Sequence, residues 1–330
     1  MTLHALTRRR ALSVLAATTL ALCAAPAFAL DYPTRPVTIV VGSPPGGGTD
    51  MVGRLVASGL QKELGQPFVV ENKGGASGNI GTGAVARAAP DGYTLLMAYS
   101  GYQVVNPSLF PTSLQWDPIK SFAPIALVLK APHIITVKAG LPVKTLADLI
   151  AYGKANPGKL NYASVGQGSL SHIGGEMFAQ QTGVTMTHVP YRGSGPAVTD
   201  LVAGNVDLFI NTPQSLVGFL QNGTVRGLAV TSDQRLPMVK DIPTVVEAGL
   251  PNLQLEAWYA LYAPAGTPPA IIEKLAGAVK TVVETKAFQD AAEQSGSYAV
   301  YMGPKELGAY TASELKVWSG VVEKAGIKLE

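Results

Sequence analysis

The 330-residue sequence has a single cysteine, Cys23, and only 14% of its residues are charged, against about a quarter in an ordinary globular domain. One cysteine permits no internal disulfide. Because it lies in an apolar N-terminal stretch, the rest of the chain has no thiol nucleophile and no thiolate for a metal. A basic surplus is also missing: Lys and Arg number 25 against 22 Asp and Glu, and Arg8, Arg9 and Arg10 supply the whole excess, leaving 22 of each sign beyond Ala29. A balanced chain gives no electrostatic reason to propose a phosphate-neutralising face, so nucleic-acid binding is set aside. No uncharged apolar run reaches the roughly 20 residues of a membrane span, so the mature chain is expected to be soluble.

Several chemical signatures are absent as well. Gly-x-Ser-x-Gly does not occur, and the first glycine loop lacks the lysine that a phosphate-binding loop places on terminal phosphates. Gly81-Thr82-Gly83-Ala84-Val85-Ala86 fits a dinucleotide fingerprint in outline, but no acid lies about 20 residues on. His133, His172 and His188 have no His-Glu-x-x-His pattern and no carboxylate at ligand spacing, so neither a metal nor a cofactor is expected.

What is present begins with an address. Arg8-Arg9-Arg10, the uncharged and mostly apolar stretch from Ala11 to Ala25, and Ala27-Phe28-Ala29 have the order of a secretory signal cleaved after Ala29, and the expected location is the periplasm. Sec and twin-arginine export both remain open. Beyond it, strand-like and helix-like stretches alternate, which predicts an α/β fold with parallel sheets. Val37–Val41 reads as a buried strand. Gly42 to Gly48 breaks it, and Thr49 is expected to cap a helix with an apolar face of Met51, Val52, Leu55, Val56 and Leu60. Further strands are read at 68–71, 93–98, 160–165, 185–190, 206–210 and 225–231. A C-terminal helix starts at Pro268-Pro269 and carries the stripe Ile271, Ile272, Leu275, Val279, Val282, Val283. The connections between two domains are expected at Ala123 to Lys138 and Glu256 to Ala263.

Glycine-and-hydroxyl loops recur where predicted strands end and helices open. Free N–H groups at a helix start carry partial positive charge, glycine lets a ligand approach, and Ser or Thr adds a donor, so such loops suit carboxylates. For His172 three readings stand: a hydrogen-bonded helix histidine, a ligand contact, and a catalytic group with Ser169 or Ser171.

Tyr32-Pro33-Thr34-Arg35-Pro36-Val37, Pro45-Gly46-Gly47-Gly48-Thr49-Asp50, Asn72-Lys73-Gly74-Gly75-Ala76-Ser77-Gly78-Asn79, Tyr162-Ala163-Ser164-Val165-Gly166, His188-Val189-Pro190-Tyr191-Arg192-Gly193-Ser194-Gly195-Pro196 and Ile242-Pro243-Thr244 occur in order along the chain. Together they resemble the solute-binding proteins of tripartite tricarboxylate transporters, the Bug or TctC-like family. The resemblance implies a two-domain periplasmic binding protein of the type II-like α/β class, each domain a doubly wound sheet, with the ligand in the interdomain cleft. The implied domains are 30–130, 131–255 and a return over 256–330. It implies a monomeric, non-enzymatic receptor that closes on a small carboxylate and hands it to a permease of a large and a small subunit.

Carried onto this chain, the resemblance assigns Pro45, Gly46, Gly47, Gly48 and Thr49 to one carboxylate, Ser77 and Ser100 to side walls, and Ser164, Gly166, Gly168, Ser169, His172, Ser194 and Asn211 to the opposite domain. Asp50 is expected to stabilise the helix start, since it would repel an anion. Arg192 reads either as a carboxylate partner or as an exposed side chain beside a turn. Two departures from the family matter: Ser43 stands where an aromatic residue is usual, and Asn211 where many members carry an acid. Both favour a di- or tricarboxylate or an aromatic carboxylate over an amino acid. A sensor for a membrane signalling partner is the alternative function, and a hydrolytic enzyme a more distant one.

Overall fold

The computed structural model describes residues 31–325. The segment read as an export signal, with Cys23 and the cleavage point at Ala29, lies outside the described residues. From Pro33 onward the chain forms one unit, which is described below.

The first lobe opens with β1 (Val37–Val41), α1 (Gly48–Leu64), β2 (Phe68–Asn72), α2 (Asn79–Ala86) and β3 (Thr94–Tyr99). The sequence of β1, Val-Thr-Ile-Val-Val, is β-branched at every position and almost wholly buried, as a strand flanked by parallel neighbours and covered on both faces requires. The helix α1 stops at Gly65, whose left-handed φ of 71° lets its N–H bond the Gln61 carbonyl. A short α3 (Asn106–Leu109) follows, then β4 (Phe122–Pro132), and the chain crosses to the second lobe.

That lobe contains β5 (Ile134–Lys138), α4 (Leu146–Ala155), β6 (Leu160–Ser164), α5 (Leu170–Thr182), β7 (Met186–Pro190), α6 (Ser194–Ala203), β8 (Leu208–Asn211), α7 (Val217–Gln221) and β9 (Val225–Val230). The chain then returns through β10 (Glu256–Pro264), α8 (Pro269–Glu284), α9 (Lys286–Gln294), β11 (Tyr298–Met302) and α10 (Pro304–Ala325). The predicted stripe of α8 is buried at all six positions, each side chain stabilising the lobe by about 1.5–3 kcal/mol.

The strand orders are β11-β4-β10-β3-β1-β2 and β7-β6-β8-β5-β9. In the first sheet β1 pairs in parallel with β2 on one side and β3 on the other; in the second, β6 does the same with β7 and β8. Each lobe therefore has a topological switch point, where successive crossovers leave in opposite directions and open a crevice at the strand C-termini. The loops after β1 and β6 lie at these two points.

The sheets are mixed, not parallel throughout as the alternation predicted. β10 runs antiparallel to β3 and β4, and β5 antiparallel to β8 and β9. These are strands that enter or leave a lobe, so no crossover helix sets their direction. The helix start also differs: Gly47 is the N-cap of α1 and no side chain caps it, with Thr49 already inside the first turn. Met51 faces outward at 43% exposure because the buried stripe runs through Val52, Val56 and Leu60.

The lobes join where three segments cross. His133, between β4 and β5, donates its N–H to the Leu255 carbonyl, Thr231 N–H bonds the His133 carbonyl, and Leu255 N–H bonds the Thr231 carbonyl. The Thr231 hydroxyl donates to Leu255 O at 2.6 Å and accepts from His133 N at 2.7 Å. The outward connection lies within the predicted 123–138 stretch. The return crossing is at Leu255, one residue before β10, which itself belongs wholly to the first sheet.

Candidate functional site

The C-terminal ends of the parallel strands of both sheets face one crevice. Its inner chamber is lined from the first lobe by Ser43, Pro44, Pro45, Gly47, Gly48 and Thr49 after β1, by Tyr99 at the end of β3 and Tyr102 beyond it, and by Tyr259 of β10. The second lobe contributes Val165, Arg192 to Pro196, Asn211 and Thr212. An outer chamber shares Pro44, Pro45, Tyr102, Val165, Arg192 and Gly193, and continues to Asn72, the 74–78 turn, Gly166 and Tyr191. The two form one cleft.

Its chemistry is one-sided. In α1 the N–H groups from Gly47 to Asp50 have no intrahelical acceptor, while Met51 N–H is the first to close a turn, on Gly47 O. The start of α6 at Ser194 contributes the same kind of donors from the opposite lobe. Tyr99, Tyr102 and Tyr259 form an aromatic floor, with ring centroids 5.1 Å apart for Tyr99 and Tyr102 and 5.6 Å for Tyr99 and Tyr259. Burial pushes the Tyr102 phenol up to about 12, and those of Tyr99 and Tyr259 are likewise raised by burial, so all three keep their protons. Ser43 is 8% exposed and its hydroxyl has no partner. Among the described residues neither chamber is lined by an acid, and Arg192 is the one charged side chain in the lining.

Asp50, in the first turn of α1, lines neither chamber. Asp50 accepts from Gly46 N at 2.9 Å and from Asn72 Nδ2 at 3.0 Å, and pairs with Arg54 at 3.0 Å. Burial opposes its charge, but the bonds from Arg54, Gly46 and Asn72 outweigh it and hold the carboxyl below its ordinary range. Asp50 thus braces the helix start.

Gly48 is closely approached from both lobes. A Cβ there would lie 2.8 Å from the Tyr259 hydroxyl of the first lobe, closer than a real Cβ contact, and 3.4 Å from Thr212 Oγ1 of the second, so a residue without a side chain fits best.

Of the residues singled out in the sequence, Pro45, Gly47, Gly48, Thr49, Ser194 and Asn211 line the inner chamber, and Ser77 and Gly166 the outer one. Asn211 donates to Ser194 Oγ at 3.2 Å and Ser215 Oγ at 2.9 Å. Gly46 sits behind the loop, bonded to Asp50. Ser100 is fully buried and accepts from Trp258 N–H. Ser164, Gly168, Ser169 and His172 line neither chamber; they bond among themselves and to Gly166 and His188 beneath the β6 loop. Tyr102 and Tyr259 were not legible as site residues. Tyr99 and Thr212 carried a weak signal, each lying just beyond the end of a predicted strand, 93–98 and 206–210.

Residues 52–327 match the model of the tripartite tricarboxylate transporter family receptor, TctC. The chain belongs to this family. The TctC chain is 38% identical to Protein BugT of Bordetella pertussis over 93% of its own length and 94% of that protein's. Among solved structures, it is 35% identical to R. palustris Rpa4515 with adipate, at a TM-score of 0.87 and covering 90% of this chain and 99% of that one. It is also 35% identical to MatC of Rhodopseudomonas palustris with bound malate, at a TM-score of 0.83 and covering 88% of this chain and 100% of that one. The architecture of this TctC receptor is that of a two-domain periplasmic binding protein, two helix-flanked sheets with the cleft between them. Its Pro-Gly-Gly-Gly-Thr loop stands at one switch point and Val165-Gly166 at the other.

Proposed function

We propose that this chain captures a small organic carboxylate lacking an ammonium group, a di- or tricarboxylate or an aromatic carboxylate, by closure of its two lobes, and delivers it to a tripartite permease without altering it. The observation that carries this reading is the one-sided lining of the cleft. Two helix starts, three protonated phenols and Arg192 offer donors to an anion, while among the described residues no acid lines the cleft to receive a ligand amine. Adipate and malate, seen in the related structures, have two separated polar ends, and so does the cleft, with α1 on one side and Arg192 with α6 on the other.

The working location under this proposal is the periplasm after cleavage at Ala29, as a monomer, with lobes comprising 30–130 with 256–330 and 131–255. Thermal shift and calorimetry against adipate, malate, citrate, phthalate isomers, nicotinate, aspartate and glutamate test the reading. Carboxylates without an amine are expected to raise Tm, by an amount equivalent to about 2.7 kcal/mol at a hundredfold excess over Kd, and aspartate and glutamate are not. Preferential binding of the amino acids, or binding of none of the panel, would overturn it. Gly47→Glu, which puts a negative charge at the start of α1, should abolish the response.

A further inference from the structure

We propose that Ser77 is a closure latch: its hydroxyl, presented by a constrained turn of the first lobe, donates to the carbonyl of Gln167 in the second and holds the lobes in the closed position. This deepens the receptor reading and rests on it.

The bond is 2.6 Å long and links the two lobes directly. Its donor is placed at a conformational cost. Ala76 and Ser77, with φ of 47° and 51°, are the only residues other than glycine at positive φ among the described residues, in a region that L side chains seldom occupy. The surroundings force the shape. Fully buried Asn106 donates to the Ser77 carbonyl at 2.8 Å and to Asn79 Oδ1 at 2.7 Å. Gly78, at φ 84°, lies against the Tyr102 ring so closely that a Cβ would come within 2.2 Å of it. Glycine would adopt the Ser77 backbone more easily, and what serine adds is a hydroxyl bonded across the cleft.

The acceptor is framed with equal care. Ser164 Oγ and Ser169 Oγ both donate to the Gly166 carbonyl, at 3.1 and 2.7 Å, and Gly168 N–H bonds His172 Nδ1 at 3.1 Å. The His172 ring stacks on His188 at 4.0 Å, and His188 Nε2 is 2.6 Å from Ser164 Oγ. Burial lowers the His172 pKa to about 4, so Nδ1 remains an acceptor at neutral pH. Ser164, Ser169 and His172 thereby tie down Gly166 and Gly168 on either side of Gln167.

The test measures lobe separation without ligand. Cys23 is the single native cysteine; in a Cys23→Ser background, spin labels at Lys62→Cys on α1 and Lys154→Cys on α4, both exposed, report the distance by pulsed electron resonance. Ser77→Ala and Ser77→Gly are each expected to reduce the population at the closed-form distance roughly two- to tenfold, with unchanged circular dichroism. Distributions that superimpose on the unmodified chain, or a loss in Ser77→Ala that Ser77→Gly does not share, would overturn the latch, the second because it would trace the effect to backbone strain. A chain that binds carboxylates yet shows no shift in either variant refutes the latch alone. A chain that binds none of the panel refutes the receptor reading, independently of the ligand-free distances.

Discussion

Replacing His133 with leucine should make the receptor less sensitive to acid. His133 is fully buried where the three inter-lobe segments cross, and neither ring nitrogen makes a well-formed hydrogen bond. Burial, opposed only by the Leu255 carbonyl, lowers its pKa from 6.5 to about 3. The native protein therefore refuses a proton that the unfolded chain accepts below about pH 6.5. The sign follows: stability is complete above that value and declines as pH falls toward 3, because the unfolded state binds more protons over this interval. At pH 5 the loss from His133 alone is about 2 kcal/mol, with about 1.4 kcal/mol for each further unit until the native group titrates. Leucine is close in size and removes both the titration and two unpaired buried nitrogens, each costing about 1–3 kcal/mol. Urea unfolding followed by tryptophan fluorescence at pH 7, 6 and 5, at constant ionic strength, gives the stability of both proteins. The expected result is His133→Leu at least as stable as the parent at pH 7, with the gap widening by about 2 kcal/mol at pH 5. His172 and His188 are lowered in the same direction and titrate in both proteins, so they cancel in the comparison. Parallel stability curves would refute the reasoning.

Two further substitutions address the α1 start. Gly48→Ala places a methyl 2.8 Å from the Tyr259 hydroxyl; it should cost about 1–3 kcal/mol of overpacking, read as a fall in Tm together with weaker ligand binding, and an unchanged affinity would show that the approach is not needed for closure. Asp50→Ala leaves Gly46 N–H, Asn72 and Arg54 without their shared acceptor and should lower stability by about 2–3 kcal/mol; a change below 0.5 kcal/mol on the scale of exposed ion pairs would show that solvent replaces it.

How far the sequence reached depended on how local the cause was. The β1-loop-α1 unit is written in five consecutive residues of β propensity, a glycine run and an apolar stripe, and the structure follows it with the helix cap at Gly47, two residues earlier than Thr49. The α8 stripe was equally plain. The β10 direction was not, because pairing between residues as distant as Tyr99 and Tyr259 leaves no periodic trace in either segment. For the same reason Tyr259 could not be read as part of the floor. The β6 loop shows the opposite difficulty: Gly166-Gln167-Gly168-Ser169 has the composition of an anion-binding loop, but Ser169 caps its own helix and bonds its own loop. Glycine and hydroxyl together identify a constrained turn, and only the fold shows which way its donors point.

The tyrosine floor has a consequence for how the cleft responds to pH. Helix amides do not titrate, an arginine keeps its charge, and phenols held up by burial give up no proton under mild alkali. With no acid or histidine among the described residues of the lining, the cleft presents the same electrical face in mildly acidic and mildly alkaline water. Variation of affinity with pH would then measure the ionisation of the free carboxylate, making the ligand's own titration curve a fingerprint by which an unknown guest could be recognised.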